Sequence, residues 1–500
     1  MNIAELAVRG LSTGEHVSII FEGSEYTNVQ MDKAACRLGN ALKKLGVGPQ
    51  DRVILQMPNA PEVLQSFQAV WKIGAVCVPV NFQVGAEEIA YIYQDSGAAT
   101  VITAPEFLDK VRIARAGAPG VKNVIVVSAE PVAGAHHFAG LLAGNSDQLD
   151  IYPAADDDVA ALVYTSGTTG RPKGVMQTHY ALYYTAVNLQ ATTEYPPDTV
   201  TVAMLPLCHS YGIGLMNTAL LRTLGKTVVL RQFNLEQLFS AIEKYRVNSV
   251  AAVPTMYIYM LNYPDYKKYD LRSVKYYICG SAPLSGETWK QFKEKFGGEI
   301  AEGWGLTEAC ANNALNPVLG LKKVGSIGKP MKNMEMKIVN DRDEELPPGR
   351  EGEIVLRGPM VMKGYWKQPE ATAEMIRNGW LHTGDIGYVD EDGYFFITDR
   401  KKDIIIKGGE NISPRAVEEV LYTHPAVSEA AVIGVKDKVY GEDLKAFVVL
   451  KPGETAEAED ILAFCKGRLK RFFVPKEVVV IQAMPKSLVG KILKKELRKL

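Results

Sequence analysis

Amphipathic and fully apolar segments alternate along the first third of the chain. Leu38, Leu42 and Leu45 recur at helical spacing within residues 31–46, and Gly46 ends that pattern as a helix C-cap would. The other segments of this third are predicted as strands over 53–55, 76–80, 99–103 and 123–128 and as a helix over 61–73. Strands that alternate with helices at this spacing predict a parallel sheet.

The rest of the chain divides into a middle of similar character and a different last hundred residues. In the middle, the pattern predicts strands over 159–164, 250–255 and 275–278, a helix over 180–189 and a hairpin over 387–398. After a strand at 404–406, Ser413 and Pro414 predict the start of a helix. Strands over 430–435, 444–450 and 478–481 and a helix near 458–470 follow. The predicted fold class is α/β: a large N-terminal domain of several subdomains with mixed and parallel sheets, and a small α+β C-terminal domain.

Composition excludes several functions. The chain has 500 residues, 47% of them hydrophobic, and a formal net charge of -1, which gives no electrostatic case for nucleic acid. No apolar run approaches ~20 residues, so no membrane span is expected. The N-terminus lacks the apolar core of a signal peptide. The six cysteines form no C-x-x-C pair, which argues against zinc and thioredoxin-like sites and fits a reducing, cytoplasmic location.

The segment 164–174 is the densest candidate for chemistry. It follows a predicted buried strand and places hydroxyls, glycines and a lysine together, namely Thr165, Ser166, Gly167, Thr168, Thr169, Gly170 and Lys173. Glycines allow backbone N–H groups to approach an anion, and the hydroxyls and the lysine add hydrogen bonds and charge. We therefore predict a site for nucleotide phosphates. The spacing is not that of a Walker A loop.

Six further segments carry residues suited to a binding site, although most of them alone favour a structural explanation; Glu308 is the exception, because a solvated surface acid is not expected in a segment where glycines flank an aromatic residue. They are 205–212 with His209, 279–284 at a strand end, 302–308 with Trp304 between glycines, 382–385 ending in Asp385, the charged run 399–403 continued by Gly408 and Gly409, and the lysine-rich tail 485–494. A buried histidine, an ordinary turn and a solvated charged face are the usual meanings of such segments.

Taken in order, the seven segments resemble the motifs of the adenylate-forming superfamily. That superfamily includes acyl-CoA synthetases, adenylation domains of peptide synthetases and beetle luciferases. The match runs from residue 164 to residue 491. An ordered set of motifs is far more specific than any one of them.

The resemblance implies a role for each matched residue. Lys491 corresponds to the catalytic lysine, Glu308 to the carboxylate that holds Mg²⁺, and His209 to a positioning residue where the acid meets ATP. Ribose contacts fall on Asp385 and Arg400. The remaining nucleotide contacts fall on the phosphate-loop residues above and on Gly280, Ser281, Ala282, Gly303, Trp304 and Thr307.

The resemblance also implies a domain plan of 1–399, a hinge at 400–402 centred on Lys402, and a mobile small domain over 403–500. Gly408 and Gly409 are expected to face the CoA thiol. The expected acyl pocket comprises His209, Val253, Thr255, Cys279 and Gly305. Because acetate-activating relatives have a bulky tryptophan at the position of Gly305, we expect an open pocket and an acid larger than acetate.

The resulting prediction is an AMP-forming acyl-CoA synthetase that uses ATP, Mg²⁺ and CoA to activate a carboxylic acid. The main alternative is a stand-alone adenylation enzyme that loads a separate carrier protein. A fatty-acyl-AMP ligase and a luciferase-like activity share the first step. A non-catalytic nucleotide-binding protein is disfavoured because Thr307, Glu308, Asp385, Arg400 and Lys491 are all present. Many family members are dimers, so a homodimer is compatible with the resemblance.

Overall fold

The computed structural model describes residues 1–81, 84–165, 171–214, 225–487 and 490–500. Eight strands form the first sheet, in the spatial order Gly364–Tyr365, Lys173–Thr178, Val159–Thr165, Val76–Pro79, Arg52–Gln56, Thr100–Thr103, Asn123–Val126 and His136–His137. Six of these, from Val159–Thr165 to His136–His137, run parallel. The parallel sheet predicted for the first third of the chain is therefore confirmed.

A second sheet carries most of the site. Its nine strands follow the order Lys329–Pro330, Ala314–Leu315, Ile300–Trp304, Tyr276–Cys279, Ser249–Ala252, Val200–Ala203, Lys226–Val229, Val17–Phe21 and Ser24–Thr27. The six strands from Ile300–Trp304 to Val17–Phe21 are parallel. Carboxyl ends of parallel strands share one edge of a sheet, which is where ligands of such sheets bind. The segments after Ala252, Cys279 and Trp304 therefore lie side by side.

The third sheet is antiparallel and leads to the small domain. It contains Glu335–Val339, Gly352–Arg357, Trp380–Val389 and Ile376–Arg377, with Phe395–Arg400 paired to Trp380–Val389. The last pair is the hairpin predicted over 387–398. The register places Asp385 opposite Arg400, so the hairpin itself brings the two predicted ribose contacts together.

The last hundred residues form an α+β unit, as predicted. Its sheet has the order Glu410–Ile412, Ile405–Lys407, Gly441–Leu450 and Val427–Asp437, with Glu477–Val480 parallel to Gly441–Leu450. The Ser413 hydroxyl accepts from the Ala416 N–H and caps the helix Pro414–Tyr422. The second helix, Ala458–Lys466, is shorter than the predicted 458–470.

Helices cover the faces of the sheets. The described α-helices are Glu5–Leu11, Asn28–Lys44, Pro61–Lys72, Ala86–Ser96, Leu108–Gly117, Phe138–Ala143, His179–Thr193, Ser210–Gly212, Leu235–Tyr245, Pro254–Asn262, Gly286–Phe296, Pro369–Met375, Pro414–Tyr422, Ala458–Lys466 and Lys494–Leu497. Short 3-10 turns lie at Pro105–Phe107, Pro264–Lys268, Thr307–Ala309 and Arg471–Phe473. Within the described ranges, no helix combines the length and apolarity that crossing a bilayer requires.

One strand prediction extends too far. The strand predicted over 250–255 ends at Ala252, because Pro254 occupies the first turn of the helix Pro254–Asn262. Proline fixes φ at a helical value and lacks a donor, so it suits that position. Val253 becomes the N-cap, and Thr255 lies in the first turn of the helix.

All six cysteines are buried and unpaired. They are Cys36, Cys77, Cys208, Cys279, Cys310 and Cys465. Burial raises the pKa of the Cys77 and Cys279 thiols well above their usual range. They therefore pack as small apolar side chains.

Candidate active site

The predicted phosphate segment connects two antiparallel strands. Thr165 and Lys173 face each other at the ends of Val159–Thr165 and Lys173–Thr178, and the Thr165 hydroxyl lies 3.5 Å from the Lys173 carbonyl oxygen. The ammonium of Lys173 lies 4.8 Å from the ring centre of Tyr365. The predicted contacts Ser166, Gly167, Thr168, Thr169 and Gly170 lie outside the described residues.

Tyr365 also connects this hairpin to the predicted magnesium ligand. Its hydroxyl donates to Glu308 Oε1 over 2.8 Å. Burial raises the pKa of the Tyr365 phenol, with the charge of Glu308 adding to the effect, so the tyrosine remains a neutral donor. Gln177, which is fully buried, donates to the Thr307 carbonyl oxygen over 2.9 Å. Thr307 and Glu308 are therefore held in place from the strand Lys173–Thr178 and its neighbour.

Asp385 lies at the centre of a hydrogen-bonded group. Arg400 Nε donates to its Oδ1 and Trp304 Nε1 donates to its Oδ2, each over 2.9 Å. Asp385 is only 2% exposed, whereas Arg400 and Trp304 are half-buried. Such donors offset the cost of burying a carboxylate. Each oxygen keeps acceptor capacity for a further donor, which suits a vicinal diol.

Lys491 is brought to the large domain by the tail of the small domain. The tail is fixed on either side of Lys491 by ion pairs, Lys486 with Glu429 at 2.6 Å and Lys494 with Glu418 at 2.8 Å. Before it, the Gly490 carbonyl oxygen accepts from the Thr255 hydroxyl over 3.2 Å.

Gly490 is needed at that contact for two reasons. Its φ of 72° lies in the left-handed region, and a Cβ there would come within 2.9 Å of Val253. The glycine therefore lets the small domain approach the large one closely, and it places the next residue, Lys491, at the edge of the second sheet.

The ammonium of Lys491 is easily deprotonated. Burial and, to a smaller extent, the positive charge of Arg400 lower its pKa to about 8, while Asp385 acts in the opposite direction. Lys491 and His209 also influence each other. Burial lowers the pKa of His209 to about 4, and the charge of Lys491 contributes. His209 is therefore neutral near pH 7, and its Nδ1 accepts from the Tyr211 N–H over 3.3 Å.

The turn after Tyr276–Cys279 has a strained backbone. Ser281 is exposed and has φ of 71°, although it carries a side chain. Strain of this kind is concentrated at functional sites. The Gly280 N–H donates to the Ala252 carbonyl oxygen over 3.3 Å, and a Cβ at Gly280 would lie 3.4 Å from the Gly303 carbonyl oxygen. Gly280 and Gly303 are thus close neighbours at the strand ends, and Ser281 and Ala282 follow Gly280 in the same turn.

The predicted acyl-pocket residues do not share one environment. Val253 and Cys279 are 1% and 0% exposed within an apolar core cluster, and Thr255 faces Gly490. The expectation that Gly305 leaves space for the acid stays a prediction, and the structure adds one observation about this glycine. A Cβ at Gly305 would lie 2.0 Å from the Ala311 carbonyl oxygen, so backbone already fills that side. Gly305 permits close packing against the Cys310–Ala311 turn, where both residues have positive φ.

The predicted hinge is a turn between two sheets. Lys402 is exposed and lies between the strands Phe395–Arg400 and Ile405–Lys407. The neighbouring N–H groups are bonded, that of Lys401 to Gly384 and that of Asp403 to Arg400. Gly408 and Gly409 form the turn of the next hairpin and are exposed. The structure gives them no contact with Lys491, Asp385 or Glu308 in the described chain.

A second set of contacts between the domains lies around the helix Pro414–Tyr422. Asp399 Oδ2 accepts from the Ser413 hydroxyl over 2.7 Å and from the Arg415 N–H over 3.2 Å. Glu419 Oε2 accepts from the Gly286 N–H over 3.3 Å. Burial raises the pKa of Glu302 to about 7, and the positive charge of Arg415 opposes that shift. The small domain is therefore seated on the large one by directed contacts.

Sequence reasoning missed Tyr365, Gln177 and Arg415. A buried glutamine inside an apolar strand is a recognisable signal, since an unpartnered amide would be costly there. Tyr365 and Arg415 stand in segments of ordinary composition. Their importance comes from contacts with residues 57 and 18 positions away, which no local pattern encodes.

The described site brings two cations, Lys491 and Arg400, and two carboxylates, Asp385 and Glu308, to one edge of the second sheet. Such an edge can hold an anionic ligand with a diol and bring it to a positive charge. In the described ranges, no three histidine, cysteine, aspartate or glutamate side chains form a dedicated metal cage.

Two family models match the chain. The model described as AMP-binding enzyme matches residues 7–366, and that described as AMP-binding enzyme C-terminal domain matches residues 416–491.

Similar proteins include two curated relatives and a solved structure. A feruloyl-CoA synthase from Amycolatopsis sp is 38% identical over 478 residues, covering 95% of this chain and 94% of that protein. A long-chain-fatty-acid–CoA ligase from Bacillus subtilis is 35% identical and covers 97% and 91%. The crystal structure of the anthranilate CoA ligase AuaEII in complex with anthranoyl-AMP superposes with a TM-score of 0.94 at 29% identity, covering 100% of this chain and 97% of that one.

Proposed function

This chain belongs to the AMP-binding enzyme family, and from that membership we propose that it is an AMP-forming acyl-CoA synthetase. It joins a carboxylic acid to ATP as an acyl-adenylate, releases pyrophosphate, and then transfers the acyl group to CoA with release of AMP. It is therefore an acid–thiol ligase. The observation that carries the proposal is that the tail contacts the large domain at Gly490 and thereby brings the half-buried Lys491 beside the Trp304–Asp385–Arg400 group.

In the first step a carboxylate oxygen attacks the α-phosphorus of ATP, and the bond to pyrophosphate breaks. A carboxylate is already a nucleophile at neutral pH, so the protein's tasks are alignment and compensation of negative charge. We assign the ribose hydroxyls to Asp385 and Arg400. Lys491 lies between the acid and the α-phosphate. His209, neutral at this pH, orients the acid and does not act as a base.

The residues around Glu308 fit a magnesium ion that is shared with phosphates. Mg²⁺ in nucleotide sites is held by one or two carboxylates together with phosphate oxygens. Glu308 supplies one such carboxylate, oriented by the Tyr365 hydroxyl, and the ammonium of Lys173 lies over the ring of the same tyrosine. Bound there, Mg²⁺ would neutralise charge on the phosphates. Thr307 and the segment 165–170 complete our assignment of the phosphate contacts.

In the second step the CoA thiol attacks the acyl carbonyl, and AMP leaves. We assign this step to a second arrangement of the small domain, residues 403–500, reached by rotation about Lys402 within 400–402. That rotation removes Lys491 and brings Gly408 and Gly409 to the thiol. The first 399 residues remain in place as the adenylation domain.

We propose an acid larger than acetate. The relatives act on feruloyl and long-chain acyl groups, and the structural neighbour holds anthranoyl-AMP, so aromatic and long aliphatic acids both come into question. The residues we assign to the acyl side are His209, Val253, Thr255, Cys279 and the backbone of Gly305. We further propose a cytoplasmic location and leave a homodimer as one oligomeric state to be tested.

The deciding experiment measures AMP release from ATP across aromatic, medium-chain and long-chain acids, each with and without CoA. We expect one acid class to give AMP that turns over rapidly only with CoA. Adenylate formed at a rate indifferent to CoA would instead favour the alternative, a loader of a carrier protein. ADP as the product would refute adenylation altogether.

A further inference from the structure

The hairpin that carries Gly408 and Gly409 is weakly attached through its backbone. The two glycines have φ of 60° and 88° and make a two-residue turn between Ile405–Lys407 and Glu410–Ile412. In the described chain, Lys407 opposite Gly441 is the one strand-to-strand pair between this hairpin and the rest of its sheet, and one further backbone bond joins Gly408 to Tyr440. Side chains therefore contribute much of what fixes its orientation.

A buried ion pair supplies that fixation. Lys407 Nζ lies 2.5 Å from Asp443 Oδ1, and both side chains are 8% exposed. The adjacent acid, Glu442, accepts from the Ile406 N–H over 2.8 Å. The Gly408 N–H donates to the Tyr440 carbonyl oxygen over 2.9 Å. Successive residues 406, 407 and 408 are thus each bound to the segment 440–443.

A contribution to the stability of the fold does not by itself explain why Lys407 and Asp443 form an ion pair at this position. Two apolar side chains of similar volume usually stabilise a fold as well as a buried ion pair does, because burying charges is costly. A directed bond between a lysine and a carboxylate, however, fixes one geometry. The apolar side chains of Ile406 and Val439 contribute little packing here, since they are 56% and 81% exposed.

We propose that Lys407 and Asp443 are positioning residues for transfer to CoA. They hold the Gly408–Gly409 turn in the shape that meets the thiol once the small domain has rotated. The inference rests on the proposed function, which places this turn at the thiol. The first step does not use the turn, because in the arrangement seen here Lys491 contacts the large domain and the turn is exposed.

The test separates the two steps in four variants. Lys407→Met and Asp443→Asn break the pair, and the double variant Lys407→Met with Asp443→Leu replaces it by apolar groups. Lys445→Met removes a more exposed ion pair of the same sheet, 3.5 Å from Glu477, and is the matched control. Adenylate formation without CoA, single-turnover transfer from supplied acyl-AMP to CoA, and thermal stability are measured for each.

We expect both single variants to form adenylate within about twofold of wild type and to transfer about 10- to 100-fold more slowly, as misplaced groups do. The double variant should regain thermal stability without regaining transfer. Normal transfer in the single variants, equal loss of both steps, or transfer restored in the double variant would each overturn the inference. If the wild-type protein forms adenylate but never acylates CoA, the proposed function is wrong in naming CoA as the acyl acceptor.

Discussion

At the scale of single residues, the proposed roles of Lys491 and Trp304 predict measurable changes in the kinetics of adenylation. Lys491 has a pKa of about 8 in the folded protein, below the ordinary value for lysine. It is charged below that pH and neutral above it. If its charge assists attack on the α-phosphate, kcat/KM for adenylation should fall as the pH rises through about 8. ATP–pyrophosphate exchange without CoA measures this limb free of thiol ionisation.

Lys491→Arg provides the control, because arginine stays protonated throughout this range. Its residual activity should show no alkaline decline near pH 8. Lys491→Ala should lose adenylation and retain transfer from supplied acyl-AMP. An alkaline limb that persists in the arginine variant would assign the titration to another group.

Trp304 should affect ATP affinity through its N–H group. Trp304→Phe keeps an aromatic ring but leaves Asp385 Oδ2 without its donor, a loss of about 1.5–3 kcal/mol for a bond to a charged group. We expect the KM for ATP to rise about 10- to 100-fold while kcat changes little. Trp289→Phe is the matched control, since the Trp289 N–H donates to the Ile300 carbonyl oxygen away from this group. Equal effects of the two variants would indicate a loss of stability.

At the scale of elements, the turn 401–403 links the third sheet to the small domain. Lys402→Pro fixes one backbone angle in this turn while the flanking bonds from Lys401 and Asp403 remain. We expect adenylation close to wild type and transfer to CoA slowed by about tenfold or more. The two half-reactions, followed separately by rapid quench, give the answer. A normal transfer rate in this variant would show that Lys402 is not the hinge residue.

The elements also show what the sequence could and could not predict. Hydrophobic periodicity predicted the parallel strands, turn residues predicted the hairpin over 387–398, and Ser413 with Pro414 predicted the start of a helix. The pairing of Asp385 with Arg400 at the end of that hairpin was seen only in the structure. Periodicity extended the strand 249–252 into a helix, because Val253 and Thr255 are as apolar or β-branched as strand residues while Pro254 decides the boundary. It could not show that the space beside Gly305 is filled by Ala311, because that contact depends on a loop with two left-handed residues.

At the scale of the whole molecule, the structure shows the arrangement that suits adenylation. Lys491 faces the large domain, and the helix Pro414–Tyr422 is seated through Asp399, Gly286 and Glu419. None of these seating contacts follows from local sequence, because each joins residues from different domains. These contacts depend instead on the close fit between the surfaces of the two domains, and that fit requires a glycine at position 490.

Glu419→Ala should therefore shift the balance between the two arrangements. It removes the acceptor for the Gly286 N–H, and a bond of this kind contributes about 1–3 kcal/mol. We expect adenylation to slow about 3- to 10-fold and transfer to CoA to be unchanged or faster. Glu459→Ala, at an exposed position of the helix Ala458–Lys466 in the same domain, is the control. Slowing of both steps alike would show that Glu419 merely stabilises the fold.

The burial of all six cysteines bears on how this chemistry can be watched. A reagent that colours free thiols would react with CoA and leave the native protein unmarked, so consumption of the acceptor can be read directly in the reaction mixture. The lack of reactive thiols in the native protein also favours a fluorescence measurement of the domain rotation. One cysteine introduced on each domain would carry a fluorophore pair without competing sites, and the distance between the dyes would report each turn of the catalytic cycle.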